Sequence, residues 1–338
     1  MRRLQFLIVA VVVIMLTSCG SIGLIQIDQL QPAKIAFPEQ VRNVAVVNNV
    51  PPAEYDSAYY IRSGKREYEG NGSVLTQDLA TALAEGKYFD QVVICDSLLY
   101  QNSLEDSQTY HPLHQEQVEQ LANDLDADMI ISADRLYIKN KDVQVYDDFF
   151  DSIESAAEAT YVSLVHLYIP GREKPFMTLT EKDSLTFVLY GNLKDREIAD
   201  EVAKHAGYKL SDALIPYWLN IQRTYYDGGI SDMRDAGVAF RENNLDEAYR
   251  LWNKVYTSKK GKAKVRAAFN IALYYEMKDD LEKAVEFIDK AESLVKELND
   301  NDRNMIHYYK VALLSRQKDI VQLNIQMRRF NKQNDTSN

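Results

Sequence analysis

Val41-Arg-Asn-Val-Ala-Val-Val-Asn-Asn-Val50 is a short apolar run that ends at Pro51-Pro52. A run of this length, rich in valine and bounded by turn residues, predicts a buried strand. A helix is predicted to follow between Ser73 and Gly86, because apolar residues recur on one face at Leu75, Leu79, Ala82 and Leu83. The folded part of the chain therefore begins as a strand followed by a helix.

The same order continues along the chain. Gln91 to Asp96 and Asp128 to Ile138 have the pattern of strands, and Val118 to Leu125 that of a helix between them. Apolar strands separated by helices predict a partly parallel sheet covered by helices. Thr160 to Ile169 and Phe176 to Tyr190 alternate in polarity, which predicts an antiparallel hairpin.

A helix from Asp195 to Leu214 closes this mixed sheet domain. The order of elements resembles the sheet domains of envelope proteins such as the TolB amino-terminal domain and the curli-secretion lipoprotein. The stretches that carry the resemblance are Asn43-Val-Ala-Val-Val47, Tyr88-Phe89-Asp90-Gln-Val-Val-Ile94 and Leu121 to Ile131. The resemblance covers Val41 to Leu214 and implies a mixed α/β sheet.

Asp227-Gly228-Gly229 places two glycines between segments that are both predicted to be helical. Beyond these glycines the pattern is helical throughout. Small and large residues recur at set positions: Ala236-Gly237, Phe240, Ala248 and Trp252, then Ile271-Ala272, Tyr275, Ala284 and Ile288. This code resembles tetratricopeptide repeats, whose period is about 34 residues.

The two repeats differ in their spacing. Gly237 to Ala248 spans 11 positions and Ala272 to Ala284 spans 12, which predicts a first hairpin turn that is one residue short. A third pair of helices, near 304–317 and 319–330, is predicted to cap the array.

The sequence thus predicts an α+β fold in consecutive segments. They are a signal peptide (1–18), a lipidated N-terminus with a short tether (19–34), a mixed α/β sheet domain (35–226), a hinge (227–230), tetratricopeptide-like repeats with capping helices (231–331) and a disordered tail (332–338).

The amino terminus has the pattern of a targeting segment. Arg2 and Arg3 precede eleven consecutive apolar residues, Phe6 to Leu16, which is short of the roughly 20 needed to span a bilayer. Leu16-Thr17-Ser18-Cys19 ends the segment and resembles the lipobox of bacterial lipoproteins, in which the cysteine is diacylated. The resemblance implies a lipid on Cys19, and the alternatives are an ordinary secretory signal or an uncleaved anchor. Because Gly20 follows, where aspartate would suggest inner-membrane retention, we expect the periplasmic face of the outer membrane.

Composition narrows the classes of function. The net charge is −11 at pH 7, which argues against nucleic acid as a partner because phosphates repel an acidic protein. After lipidation of Cys19 only Cys95 would remain, so no intramolecular disulfide is expected. The 22 tyrosines could stack against carbohydrate, or their rings could pack at sheet faces and between domains. We favour the second interpretation.

No residue set predicts catalysis, a cofactor or a metal site. The chain has no helical zinc motif, no nucleophile elbow and no phosphate loop, and its histidines are scattered. Asp-Ser pairs followed by a small or aliphatic residue resemble the acceptor of periplasmic O-glycosylation. The serines concerned are Ser57, Ser97, Ser152 and Ser184, and ordinary turns or helix caps are the alternative.

We therefore expect a non-enzymatic envelope lipoprotein that acts as a protein-interaction scaffold. Stacked helix pairs leave a groove, and the residues expected to line it are Arg234, Arg241, Asn270 and Glu276. The expected partners are the membrane, through lipid on Cys19, and an envelope protein. The alternatives are a subunit of an outer-membrane secretion or assembly complex and, third, a glycan-acting enzyme.

Overall fold

Two compact units make up the chain in the computed structural model, which describes residues 22–53, 66–99, 112–148, 151–188, 194–294 and 300–335. The sheet unit comprises Pro32–Tyr217 and the residues from Gln326 onward. The helical unit comprises the residues up to Gln31 and Trp218–Ile325. The predicted α+β class with a helical C-terminal region is confirmed.

The elements alternate along the first two thirds of the chain and are then helical. The strands are β1 (Ile22–Gln31), β2 (Asn43–Asn48), β3 (Glu67–Glu69), β4 (Gln91–Leu98), β5 (Met129–Asp147), β6 (Ser152–Tyr168), β7 (Met177–Val188) and β8 (Tyr217–Tyr226). The helices are α1 (Gly72–Glu85), α2 (Gln115–Asp124), α3 (Asp195–Leu214), α4 (Ser231–Arg241), α5 (Leu245–Ser258), α6 (Gly261–Met277), α7 (Leu281–Ser293) and α8 (Asp300–Asp335).

A mixed sheet forms the centre of the sheet unit. Its strand order is β4-β2-β5-β6-β7. The short strand β3 is not part of this order and pairs with β5. β2 runs parallel to β4 and β5, whereas β6 is antiparallel to both β5 and β7. The predicted parallel strands and the predicted hairpin are therefore confirmed.

Both faces of β2 are covered by helices. Val44 and Val46 belong to the main core beneath α1 and α3, whereas Ala45 and Val47 face a smaller cluster with Val118 of α2. Because successive side chains of a strand point to opposite faces, a strand covered on both sides is apolar at every position. This two-sided burial explains the valine run of β2.

Helices α1 and α3 approach each other closely at Gly207. A Cβ atom at this position would lie 2.9 Å from the backbone nitrogen of Leu79 and 3.0 Å from the carbonyl oxygen of Leu75. Both atoms belong to the backbone of α1, which cannot turn aside as a side chain can. Glycine is therefore required by the helix crossing.

The last turns of α8 complete the sheet unit. The buried amide of Gln326 donates hydrogen bonds of 2.8 Å to the carbonyls of Ala33 and Ile35 and accepts one of 3.0 Å from the Ala33 N–H. Phe330 packs edge-on against Tyr88, with ring centroids 5.6 Å apart. The predicted disordered tail, 332–338, thus begins inside a helix that continues to Asp335.

The helical unit contains a two-stranded sheet that the sequence prediction missed. β1 lies where a tether was predicted and pairs with β8, which lies where a helical segment was expected before Gly228. Asn220 donates a 2.8 Å hydrogen bond to Asp28 across the pair. The prediction of a tether over 19–34 is wrong for this stretch, because its polar alternation is that of a strand with one exposed face.

Successive helices α4 to α7 pack on one another around a shared core. The α4–α5 and α6–α7 turns are alike: Asn243 and Asp279 have positive φ angles of 59° and 58°. Asn244 and Asp280 follow as N-caps, accepting from the backbone N–H groups of Glu247 and Lys283. The first turn is therefore not short, and Ala236, rather than Gly237, is the counterpart of Ala272.

The predicted capping pair of helices is a single helix. α8 runs for 36 residues without interruption, because Gln317-Lys318-Asp319 contains neither glycine nor proline to end it. Among the described residues, no helix combines the length and hydropathy that a membrane crossing requires.

Candidate functional site

Two of the four predicted groove residues are exposed. Arg234 and Arg241 both lie on α4. The Arg234 guanidinium donates to the carbonyl of Gly229. Arg241 Nη1 donates to Asp227 Oδ2 at 2.8 Å and to Tyr225 Oη at 3.2 Å. Both arginines hold the loop between β8 and α4 in place.

Asn270 is buried and contacts backbone rather than an open surface. Its Oδ1 accepts a 2.9 Å hydrogen bond from the Tyr226 N–H, and its Nδ2 donates one of 2.7 Å to the Tyr226 carbonyl. The Tyr226 phenol in turn donates to Asp302 at 2.9 Å. The prediction that Asn270 lines a groove is wrong, since its amide fixes the end of β8 to α6.

Glu276 is also buried, and it joins three elements. Arg223 of β8 donates to its carboxylate at 2.9 and 3.0 Å, and Arg316 of α8 donates at 3.2 Å. Tyr309 of α8 donates at 2.7 Å. Burial, together with the neighbouring carboxylate, raises the pKa of Tyr309 well above its ordinary value, so the phenol remains a donor. The prediction of Glu276 as a groove residue is therefore also wrong.

This network orients α8. One side of α8 faces the core through Ile306, Tyr309 and Leu313, all buried. Arg316, on the same side, bonds both Glu276 and Asp279, the latter at 2.6 Å. The rotation of α8 about its own axis is thus fixed by buried contacts.

The opposite side of α8 carries exposed apolar residues. Val311, Leu314, Val321 and Ile325 are 52%, 38%, 62% and 50% exposed. Lys318 lies between them and is also exposed. We name these five residues the α8 seam. Their spacing of three, four, three and four residues is the a and d spacing of a coiled coil. The sequence prediction missed this spacing because it divided the segment into two capping helices.

A polar cluster lies where β2 ends in the sheet unit. The buried Asp134 sits at a bulge in β5, where the register with β6 shifts between Ala133 and Arg135. Its Oδ1 accepts from Asn49 Nδ2 at 2.7 Å and from Ser132 Oγ at 2.9 Å, and its Oδ2 lies 2.7 Å from His166 Nδ1. The carboxylate thereby joins β5 and β6 to Asn49, the residue that follows β2.

The remaining predicted modification sites are dispersed. Cys19 and Ser57 lie outside the described residues, as does the side chain of Ser97 in β4. Ser152 begins β6 and donates to Glu154 at 2.7 Å. Ser184 is exposed on β7. Within the described residues, no group of three or more histidine, cysteine, aspartate or glutamate side chains is placed to hold a metal ion.

The profile of a domain of unknown function, DUF8603, matches residues 41–226, which is more than half of the chain. The chain belongs to the DUF8603 family. The DUF8603 match begins just before β2 and ends with β8. A second domain of unknown function, DUF6340, matches residues 234–315, from α4 into α8.

A search of curated proteins gave no match to this DUF8603 chain. Among solved structures, the PelC dodecamer from Paraburkholderia phytofirmans is 11% identical over 56% of this chain and 98% of its own, with a TM-score of 0.26. A neuraminyllactose-binding hemagglutinin homolog from Helicobacter pylori is 11% identical over 53% of this chain and 87% of its own, with a TM-score of 0.27. At such TM-scores we infer nothing about this chain from either.

Proposed function

We propose that this chain is a non-enzymatic lipoprotein of the cell envelope, held at the periplasmic face of the outer membrane by lipid on Cys19, and that it is a protein-interaction scaffold. The targeting segment and Leu16-Thr17-Ser18-Cys19 support the anchor. The helical hairpins α4–α5 and α6–α7, with their tetratricopeptide-like code, support the scaffold role.

The α8 seam is the observation that carries the scaffold role. Val311 to Ile325 is about 21 Å of helix at 1.5 Å per residue, with apolar side chains exposed along it. A buried face already fixes α8, so the seam is a second apolar face, and it is exposed among the described residues. Its a and d spacing suits another helix lying alongside, and we assign an apolar helix of a protein partner as its occupant.

The start of β1 supports a short anchor. Two residues, Gly20 and Ser21, lie between Cys19 and Ile22, and the three steps from Cys19 to Ile22 allow about 10 Å in a fully extended chain. With lipid on Cys19, the first residues of β1 would lie next to the bilayer. Ile22 and Leu24, both exposed, would then meet the headgroup region.

A secretion-channel role would need the β6–β7 hairpin as a membrane element. Tyr161 and Ala159 of β6 and Leu179 of β7 are buried in the core of the sheet unit. Insertion of these strands would have to remove them from that core, so we favour the scaffold.

Two measurements test the proposal. Cys19→Ala should release a folded chain from the membrane fraction; retention of the variant on membranes would contradict the anchor. A photo-crosslinking amino acid at Val321 should give a discrete protein adduct in intact cells, while the same group at Glu282, exposed on α7, should not. Absence of any adduct at Val321 would overturn the scaffold role of the seam.

A further inference from the structure

We propose that the turn between α5 and α6 binds the phosphate groups of anionic phospholipids in the membrane that carries the Cys19 lipid. This inference rests on the proposed anchor and adds a second membrane contact to it. The turn spans 257–265 and contains no acidic residue. Its basic residues are Lys259, Lys260, Lys262 and Lys264. We call these four lysines the basic turn.

The two ends of the helical hairpins carry opposite charge. The basic turn lies at one end. The α4–α5 turn (242–247) and the α6–α7 turn (278–282) lie at the other end, and together they contain six acidic residues and one lysine. The chain has a net charge of −11, so an anionic surface repels it in general and attracts it at a basic end. The charge distribution therefore favours an approach to anionic lipid through the basic turn.

The basic turn retains positive charge that the protein does not neutralise. Lys259 and Lys260 are exposed, and neither forms an ion pair with another residue in the described part of the chain. Lys262 is also exposed and shares Asp302 with Arg266, at 3.6 and 3.4 Å. Since one carboxylate faces two cations there, the surplus charge is available to an anionic partner.

Acidic residues of α4 and α8 near this end are offset by cations of their own. The ion pairs are Asp232 with Lys254 at 2.8 Å and Asp300 with Arg303 at 3.5 Å. Asp235 is exposed and follows Arg234, which is exposed as well. These acids therefore leave the charge of the basic turn in place.

The first turn of α6 is also suited to an anion. The N-cap is Lys260, whose side chain has no acceptor atom. The corresponding residues of α5 and α7, Asn244 and Asp280, accept from the backbone. The first N–H groups of a helix have no acceptor within the helix, and phosphate is a common ligand of such groups. Lysines beside the positive end of a helix dipole repel it, and a bound anion relieves this repulsion.

Strand β8 runs alongside α6 toward the basic turn. Arg223 of β8 contacts Glu276, and three residues later Tyr226 contacts Asn270. Residue numbers thus rise along β8 while those of its contacts fall along α6. The end of β8 therefore lies nearer to the start of α6 than its beginning does.

Strand β1 runs in the opposite direction to β8. Gly23 lies against the ring of Tyr225, whereas Asp28 accepts a hydrogen bond from Asn220. The start of β1 therefore lies toward the same end of the helical unit as the basic turn. Because Cys19 precedes β1 closely in the sequence, its lipid would hold this end of the helical unit next to the bilayer.

The contact is weak without the lipid. A lysine near an anionic membrane surface strengthens binding about fivefold, and salt at physiological ionic strength screens charges beyond about 8 Å. The Cys19→Ala chain should therefore still leave the membrane fraction at physiological ionic strength. The role of the basic turn is to orient a chain that the lipid already holds.

Cosedimentation of the full Cys19→Ala chain with vesicles tests the contact. At about 10 mM salt, where the screening length is about 30 Å, we expect binding to vesicles that contain phosphatidylglycerol and none to vesicles of phosphatidylcholine alone. Lys259→Glu/Lys260→Glu should weaken this binding at least tenfold. The matched control is Lys141→Glu/Lys174→Glu, which makes the same charge change at exposed lysines of the sheet unit and should weaken binding less than about threefold.

The charge reversal should leave the chain folded. Negative charge is favourable at the start of a helix, so Lys259→Glu/Lys260→Glu should keep or raise the melting temperature, which circular dichroism measures. Equal loss of binding in this variant and in the control would overturn the proposal. Equal binding of the parent chain to the two kinds of vesicle would also overturn it.

Fluorescence quenching on the lipidated chain tests the orientation. With Cys95→Ser, a fluorophore at Ser258→Cys, beside the basic turn, should be quenched by lipids with spin-labelled headgroups. The same fluorophore at Glu242→Cys, beyond the other end of α5 and more than about 20 Å away, should not be quenched. Quenching that is equal at both positions or stronger at Glu242→Cys would overturn the orientation.

The outcomes separate this inference from the proposed function. Retention of Cys19→Ala on membranes at physiological ionic strength would contradict the anchor, while the vesicle experiment, which needs no lipid on Cys19, still decides the role of the basic turn. Release of Cys19→Ala together with no binding to phosphatidylglycerol overturns the basic turn and leaves the anchor.

Discussion

Arg223 in β8 and Glu276 in α6 form a buried ion pair across 53 positions of sequence, with contacts of 2.9 and 3.0 Å. Arg316 and Tyr309 complete the shell around the same carboxylate. Removal of one partner from a buried pair leaves the other charge without compensation. We expect Glu276→Ala to reduce the free energy of unfolding by about 3–5 kcal/mol, as measured by urea denaturation.

The control for this substitution is Glu282→Ala, at an exposed position of the neighbouring helix α7. It should change the free energy of unfolding by less than about 0.5 kcal/mol. Equal effects of the two substitutions would show that the Glu276 network contributes nothing beyond the loss of one glutamate.

Asp134 in the sheet unit has a comparable role without an arginine. Its carboxylate accepts from Asn49 and Ser132 and contacts His166. Asp134→Ala would leave these groups buried without their acceptor, and each lost buried hydrogen bond costs about 1–3 kcal/mol. We expect a total loss of about 3 kcal/mol or more by urea denaturation. Asp90→Ala, at an exposed surface pair with Arg42, should cost less than about 1 kcal/mol; a similar cost at both sites would contradict the prediction.

Local apolar periodicity accounts for the part of the fold that the sequence predicts well. β2 and α3 were placed correctly, and the bounds of α3 coincide with the predicted Asp195 to Leu214. β1 has the local alternation of a strand, but its pairing with β8 could not be predicted in this way, because the two strands lie about 190 positions apart. A pattern read over a short window contains no information on such pairing.

The buried polar residues show a similar limit. Asn270 and Glu276 were assigned to a groove as polar neighbours of the small and large residues of the repeat code. Their partners, Tyr226 and Arg223, lie on β8, a strand that the sequence did not reveal. The α8 seam, in contrast, is visible in the sequence as a heptad spacing, provided that residues 300–335 are taken as one helix.

The pH dependence of stability should show the pairing of Asp183 with His205. His205 Nε2 lies 2.9 Å from Asp183 Oδ2, and the Ser184 N–H donates to Oδ1 at 2.9 Å. These hydrogen bonds, with that of His205 the larger, hold the pKa of Asp183 below its ordinary value of 3.8. Because the folded state lowers this pKa, the stabilisation is complete above the ordinary value and is lost as the pH falls through the lower, folded-state pKa.

Urea denaturation of the wild type and of Asp183→Asn checks this sign. The wild type should be the more stable at pH 6, and the difference should shrink as the pH falls below about 3.8. Asp148→Asn, at an exposed turn of the same unit, should show little difference at either pH. A difference between wild type and Asp183→Asn that grows on acidification would contradict the assignment.

Substitution of Gly207 by alanine tests whether helix propensity or packing against α1 has the larger effect on stability. Propensity alone favours Gly207→Ala by about 1 kcal/mol, but the new methyl group would lie 2.9 Å from the Leu79 nitrogen and 3.0 Å from the Leu75 oxygen. Since these are backbone atoms of α1, the helices must separate, and overpacking of this kind costs about 1–3 kcal/mol. We expect a net decrease in thermal stability for Gly207→Ala and a larger one for Gly207→Val. The control is Lys204→Ala, on the exposed side of α3, which should leave the melting temperature nearly unchanged. A rise in melting temperature for Gly207→Ala would refute the close crossing of α1 and α3.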